Sequence, residues 1–194
     1  MESPSAALGL SIAAQARPHV KGTGGLYLCK GGDSKDVLLV TARHVLFPPN
    51  EGLNVDYTHT NASAPRRNVL LLGTKAFDNF VKTIKLRIRQ HGIMADYHNR
   101  QIKTLQEKIE KLKEKEADED EDNVKEAMGT LEKIQKLLDK ANEAMEALDE
   151  FHDEVTKKRR RPSQRILGHI FRSPPITLST GTEGFTEDYA VVEL

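Results

Sequence analysis

Val37-Leu-Leu-Val-Thr-Ala-Arg-His44 carries the clearest strand signal in the chain. Its first five residues are apolar or β-branched, and they lie between a Gly31-Gly-Asp33 turn and a Pro48-Pro-Asn50 loop. Short apolar runs bounded by Gly, Pro and Asn are typical of buried strands. The stretch therefore predicts a strand over 37–41 with His44 just beyond its end.

Similar strand signals lie on both sides of this stretch. The other predicted strands are Leu26–Cys29 behind Gly22-Thr-Gly-Gly25, Val69–Leu72 before Gly73, Arg165–Phe171 before a Ser173-Pro-Pro175 break, and Asp188–Leu194. We therefore predict one β module from residues 21–73 and 163–194, preceded by an N-terminal tail over 1–20.

The residues between these two halves have a different period. From about Lys75 to Arg161 there is no proline, most residues are strong helix formers, and apolar residues recur every three or four positions. The predicted buried stripes are 88, 91, 95, 98, 102, 105, 109 and 112 in a first helix, and 131, 134, 138, 141, 145, 148, 152 and 155 in a second.

Folding the chain between the two stripes pairs them without a slip, 112 with 131 through to 88 with 155. Residues 74–162 are therefore predicted to form an inserted antiparallel helical hairpin with coiled-coil packing. Arms of about 35–40 residues would project roughly 50–60 Å.

The ends of the two predicted helices carry recognisable signals. The acidic run at 116–122 is predicted to be a solvated tip, and Asn123 with Glu126 is predicted to form a capping box that opens the second helix. Lys157–Arg161 places positive charge at the end of that helix, and Pro162 stops it. The basic run also resembles a nuclear-localisation signal.

The composition restricts the function classes. The net charge is zero, with 29 basic and 29 acidic residues, which disfavours nucleic acid and membrane as partners of the whole molecule. Cys29 is the only cysteine, and no apolar run is long enough to span a bilayer. These features favour a reducing, cytoplasmic location, with nuclear import through Lys157–Arg161 as an alternative.

His44 and Asp188 are the residues that indicate chemistry. A histidine beyond one buried strand and an aspartate at the start of another can act as a base and its orienting carboxylate. In that arrangement the carboxylate fixes the imidazole tautomer and stabilises its positive charge. We predict these two as site residues, and we predict no metal and no cofactor.

The same residues resemble the N-terminal half of the trypsin/chymotrypsin-like serine peptidases. Thr41-Ala-Arg-His44 is similar to the family's Thr/Ser-Ala-Ala-His motif, and Asp188-Tyr-Ala-Val-Val-Glu-Leu194 to its Asp-containing strand. The chain also resembles uncharacterised fungal trypsin-like proteins with a coiled-coil insertion. The resemblance covers about 85 residues and implies an α+β fold, a partial chymotrypsin-like antiparallel β-barrel interrupted by the helical hairpin.

Three features depart from that family. No Gly-x-Ser-Gly segment occurs in these 194 residues, Arg43 replaces a small residue beside the histidine, and the family's cysteine pair is absent. Two interpretations follow. The chain is the N-terminal part of a serine endopeptidase acting on polypeptides, inactive by itself, or it is a non-catalytic β module whose coiled-coil arm binds a protein partner or a second copy.

Overall fold

The structure is a computed structural model that describes residues 9–47, 53–61, 63–114 and 120–194. It is a mixed α+β protein, 49% helical. The chain divides into two compact units, a sheet unit of Met1–Phe80 with Lys157–Leu194 and a helical unit of Val81–Thr156. No helix within the described residues is both long and apolar enough to cross a membrane.

The sheet unit contains all of the described strands. They are β1 Ser11–Ala14, β2 Gly22–Thr23, β3 Leu26–Cys29, β4 Val37–Thr41, β5 Tyr57–Thr58, β6 Asn68–Leu71, β7 Ile166–Ser173, β8 Thr177–Thr180, β9 Phe185–Glu187 and β10 Ala190–Glu193. Three α-helices accompany them, α1 Arg43–Leu46, α2 Thr74–Lys113 and α3 Asp120–Lys158, and a 3-10 turn spans Pro162–Arg165.

The main sheet is antiparallel and curled. Its hydrogen-bonded order is β2-β1-β6-β7-β10-β4-β3, with β5 paired to β7, while β8 and β9 form a separate hairpin. The first and last strands of this order, β2 and β3, are separated in sequence by only Gly24 and Gly25. Gly24 N–H bonds to Leu10 O at 2.8 Å and Gly25 N–H to Val40 O at 2.7 Å. The short connection therefore holds the two ends of the sheet together, and the sheet forms a half-barrel.

The inner face of the curled sheet is apolar because residues from distant strands meet there. Its most buried members, each at most 1% exposed, are Ile12, Leu39, Val69, Ile170, Ala190 and Val192. Burying an Ile, Leu or Val side chain is worth about 1.5–3 kcal/mol. This buried cluster therefore joins strands from the beginning and the end of the sequence.

The predicted N-terminal tail over 1–20 is wrong in its second half. Ser11–Ala14 form β1, which pairs with β6 in the register Ile12↔Leu71 to Ala14↔Val69. Ile12 and Ala13 are fully buried. The run Ser-Ile-Ala-Ala has weak β-propensity on its own, and burial against β6 compensates for it. Residues 1–8 lie outside the described part of the chain.

The predicted strands are close to the observed ones. β3 and β4 have the predicted bounds, β6 and β7 are displaced by one or two residues, and β10 is Ala190–Glu193 within the predicted 188–194. The polar segment after Pro175 contains no predicted strand, but it forms the β8–β9 hairpin. The predicted Pro48–Asn50 loop lies outside the described residues.

The helical unit buries the predicted stripes. All sixteen predicted stripe positions are buried or half-buried, and most positions between them are exposed. One cluster joins both helices: its buried members are Ala95, Ile102, Leu138 and Ala141, with Leu131, Ile134 and Met145 packed against it. Helices α2 and α3 therefore pack together through this stripe.

The predicted start of the second helix is wrong. α3 begins at Asp120, so Asn123 and Glu126 lie inside the helix and do not form its cap. Residues 116–119 of the predicted tip lie outside the described residues, and residues 120–122 belong to α3. The helix ends at Lys158, inside the predicted basic run.

Candidate active site

The register of two strands places the candidate residues side by side. β10 pairs with β4 antiparallel, with Ala190 opposite Thr41. Continuing that antiparallel register past the strand ends brings Asp188 beside residues 43 and 44. Those residues begin α1, one turn of helix that follows β4 after Ala42. The hydrogen bonding of β4 to β10 therefore brings together His44 and Asp188, which are 144 residues apart in sequence.

Both oxygens of the Asp188 carboxylate contact His44. The Nδ1 atom of the ring lies 2.6 Å from Oδ2, and the backbone N–H of His44 donates to Oδ1 at 3.1 Å. The side chain of Asp188 is 23% exposed and that of His44 is 55% exposed. The carboxylate is thus largely covered, while the imidazole remains accessible.

This geometry selects one tautomer of the imidazole. An ionised carboxylate can only accept hydrogen bonds, so in the neutral ring the proton lies on Nδ1. Nε2 is then the basic nitrogen, and among the described residues it has no hydrogen-bond partner. An exposed Nε2 with an oriented ring is what proton abstraction from a nearby hydroxyl requires.

The environment of Asp188 favours its charged form. Burial raises the pKa of its carboxyl, but the hydrogen bonds from the His44 ring and from the backbone N–H groups of His44 and Arg43 together lower the pKa below its ordinary value. Asp188 is therefore ionised at neutral pH. The negative charge would stabilise a protonated imidazole.

A buried network lies next to the pair. Arg43, 3% exposed, donates from Nη1 to Ser173 O at 2.7 Å and to Ser173 Oγ at 2.9 Å. The Ser173 hydroxyl, itself fully buried, bonds to Tyr189 O at 3.3 Å. Since Arg43 precedes His44 and Tyr189 follows Asp188, this network fixes the backbone on both sides of the pair.

The network cannot be predicted from the sequence. There, Arg43 is only a departure from the pattern of a similar family, and an isolated arginine after a strand is usually solvated. Its burial depends on oxygens of residues 55 and 173, which no local pattern identifies. Ser173 gave a signal only as the residue before Pro174 and Pro175, where the sequence predicted a break.

The described residues contain no group of three or more His, Cys, Asp or Glu side chains that could hold a metal ion. His169, unlike His44, is buried, and its Nε2 lies 3.4 Å from Glu193 Oε2. Burial lowers the pKa of His169. The side chain of His169 is only 9% exposed, so this ring is much less accessible to solvent than the His44 ring.

Comparison with known proteins gives no further guidance. No protein-family model matches the chain, and neither curated proteins nor solved structures provide a match.

Proposed function

We propose that this chain supplies the general base and its orienting carboxylate for a trypsin-like serine endopeptidase domain. In this proposal the curled sheet is part of a chymotrypsin-like barrel, and α2 and α3 are a coiled-coil hairpin inserted into it. The observation that carries the proposal is the contact of 2.6 Å between His44 Nδ1 and Asp188 Oδ2, with the ring half exposed.

The proposed roles follow from the atoms. His44 Nε2 would take the proton of a serine hydroxyl as that oxygen attacks a peptide carbonyl, and it would return the proton to the leaving amine. Asp188 would hold the ring and stabilise its positive charge. The 194 residues contain no Gly-x-Ser-Gly, so the nucleophile and oxyanion hole would come from polypeptide outside them. The segment alone would not hydrolyse peptides.

The first experiment is to sequence the natural transcript beyond codon 194. We expect an open frame that encodes a Gly-x-Ser-Gly segment. The natural polypeptide would then be purified and treated with a fluorophosphonate probe, which labels activated serines. A stop codon directly after Leu194, or a polypeptide whose serines are not labelled, would overturn the proposal.

Two variants of the natural polypeptide test the assigned roles. His44→Ala removes the base and is expected to abolish labelling. Asp188→Asn preserves size but disfavours the required tautomer, and such a change lowers kcat by about 10⁴ in a working triad. His19→Ala is the matched control, since His19 is exposed and distant in sequence. Unchanged labelling in His44→Ala would exclude the proposed role.

A second candidate function is supported by the surface of the helical unit. Leu86, Ile93, Met94 and Tyr97 on α2, and Met128 and Leu137 on α3, are about half exposed. Leu86, Ile93 and Tyr97 recur at spacings of seven and four residues and so share one face of α2, and exposed apolar side chains on one face indicate contact with a partner. In this alternative the chain is a non-catalytic module that associates with a second copy or a protein partner through its helices.

Light scattering coupled to size exclusion tests self-association. The alternative predicts a dimer that dissociates in Ile93→Glu, because a charge would be buried at the contact. Leu178→Glu is the control: Leu178 is 73% exposed but lies on β8 in the sheet unit. A monomeric wild-type chain at about 100 μM would exclude self-association of useful strength.

A further inference from the structure

A band of apolar surface, formed by Leu86, Ile93 and Tyr97, runs along α2 in the helical unit. These three side chains are about half exposed and share one face of the helix. Beyond them the band continues into a cavity of about 450 Å³, which is lined by Tyr97, Leu105 and Ile134 among other residues. Leu105 and Ile134 are positions of the two packed stripes, so the floor of the cavity is apolar.

The dimensions of this surface suit a helix as the partner. Leu86 and Leu105 are 19 positions apart, which corresponds to about 28 Å along α2. An amphipathic helix of similar length binds such a surface through apolar side chains spaced three, four and seven residues apart. The cavity beside Tyr97 has room for one of those side chains.

Basic residues surround the band. Residues 82–103 contain six Lys and Arg residues and one acidic residue, so their net charge is +5. The six basic residues, all exposed, are Lys82, Lys85, Arg87, Arg89, Arg100 and Lys103. The apolar band is therefore the centre of a positively charged surface.

Two of these basic residues lie directly beside the band. Arg89 follows Leu86 by three residues and precedes Ile93 by four, and residues at those spacings are neighbours on a helix surface. Arg100 follows Tyr97 by three residues and also lines the cavity. Charges across an interface are complementary, so this border matches a helix whose apolar stripe is flanked by Glu or Asp.

A second copy of the chain offers a poorer complement. Residues 122–156 of α3 are acidic, with ten Asp and Glu against four Lys and Arg. Among the described residues of this helix, the exposed large apolar side chains are Met128 and Leu137, which are nine positions apart and so lie on opposite sides of the helix. Pairing α2 with α2 of a second copy would place two positively charged surfaces together.

We propose that the band on α2 and its cavity bind an acidic amphipathic helix of a different protein. The inference rests on the second candidate function, partner binding through the helices, and it identifies the chemistry of the partner. Apolar side chains of that helix cover Leu86, Ile93 and Tyr97 and enter the cavity. Its carboxylates pair with Arg89 and Arg100. An anionic membrane is a poorer match, because the acidic α3 packs against α2 and is repelled by such a surface.

Fluorescence anisotropy of a labelled peptide with the 194-residue chain tests the proposal. The probe is a designed helix of about 21 residues with leucine at heptad positions a and d and glutamate at e and g, where like charges keep it from pairing with itself. We expect saturable binding with a Kd below about 100 μM. Two control peptides, one with lysine for every glutamate and one with glutamine for every leucine, should bind at least about tenfold more weakly. No binding of the acidic peptide, or equal binding of either control, would overturn the proposal.

Arg89→Glu and Lys111→Glu form a matched pair of charge reversals. Both residues are exposed on α2, but Lys111 lies beyond the band and does not line the cavity. Binding of the acidic peptide should weaken at least about tenfold in Arg89→Glu and stay within about twofold of wild type in Lys111→Glu. Equal weakening in the two variants would mean diffuse attraction to a charged helix, which would refute the site.

Ile93→Gln and Met128→Gln test the apolar contact without adding charge. The two side chains are similarly exposed, but Met128 lies on α3 and does not line the cavity. Ile93→Gln should weaken binding of the acidic peptide about tenfold, and Met128→Gln should leave it unchanged. The same affinity in both variants would place the peptide elsewhere and would contradict the proposal.

Two further results separate this proposal from the second candidate function. A dimer that dissociates in Ile93→Glu, without binding of the acidic peptide, would preserve self-association and overturn only the acidic partner. Absence of both the dimer and peptide binding would overturn both. Co-sedimentation with phosphatidylserine vesicles, again without peptide binding, would assign the band to a membrane and also overturn the proposal.

Discussion

The sheet unit and the helical unit obtain their cores in opposite ways. In the sheet unit Ile12, Val69 and Val192 share one buried cluster although they are widely separated in sequence. In the helical unit the buried positions repeat every three or four residues within each helix. The stability of the helical unit therefore depends on a local pattern, and that of the sheet unit on long-range pairing. Changes to each unit should have different consequences.

Deleting residues 81–156 makes the sharpest test of this difference. β6 and β7 pair directly, Asn68 opposite His169, on either side of the deleted segment. Replacing the segment with a four-residue Gly-Ser linker should remove most of the circular dichroism at 222 nm but preserve the sheet. The connection becomes about fourfold shorter, which should stabilise the sheet by about 1 kcal/mol.

Deleting only residues 96–147, which shortens both helices together, is the control for that experiment. It should remove part of the helical signal and leave the sheet amides unchanged in NMR spectra. Collapse of the dispersed sheet resonances in the long deletion would show that the sheet depends on the helices for its stability.

Leu138→Glu breaks the local pattern of the helical unit. Leu138 is 8% exposed and belongs to the cluster shared by α2 and α3, so a carboxylate there would be desolvated. We expect a loss of at least about 3 kcal/mol in the free energy of unfolding of this unit. Leu137→Glu is the control, since Leu137 is 49% exposed and should change stability by only about 0.5 kcal/mol. Urea unfolding at 222 nm measures both, and similar losses would refute the assigned stripe.

Arg165→Gln tests a long-range contact of the sheet unit. The guanidinium donates to Arg159 O at 2.7 Å, Arg160 O at 2.8 Å and Leu72 O at 3.2 Å, and it lies over the Phe77 ring. Removing the guanidinium from these part-buried carbonyls should cost about 1–3 kcal/mol.

The exposed Arg160→Gln serves as the control for Arg165→Gln, with an expected cost below about 0.5 kcal/mol. Hydrogen exchange of the β6 and β7 amides provides the measurement. Equal protection in the two variants would show that the Arg165 contacts contribute little.

The smallest expected effect concerns Asp188. Its pKa is lowered in the folded chain, so its contribution to stability is present above the ordinary carboxyl pKa and is lost as the pH falls through the folded-state value. His44→Ala removes the ring hydrogen bond and should raise the pKa of Asp188. The free energy of unfolding should then decrease less in acid than it does in the wild-type chain. Carbon-13 NMR of the carboxyl measures the shift, and His19→Ala should leave it unchanged. A pKa unaffected by His44→Ala would contradict the described contact.

The sequence predicted those parts of the molecule whose signals are local. Periodicity located both stripes of the helical unit, and bounded apolar runs located β3, β4, β6, β7 and β10. It missed β1 and the β8–β9 hairpin because Ala-rich and polar segments become strands only through their partners. At the candidate site, motif order suggested His44 and Asp188, and their catalytic role remains a prediction. The Arg43 network depended on contacts that only the folded chain brings together.

The connection through Gly24 and Gly25 has a consequence for proteolysis. A side chain at Gly24 would approach Leu39 Cδ1 to 3.1 Å, and one at Gly25 would approach Val40 O to 3.0 Å, so the connection tolerates little bulk. Its covalent continuity joins strands at opposite ends of the hydrogen-bonding order. A single cut there would remove no strand, but β2 and β3 would no longer be covalently linked, so the curled sheet could open between them. A cut at Gly181 in the β8–β9 turn would leave β2 and β3 linked.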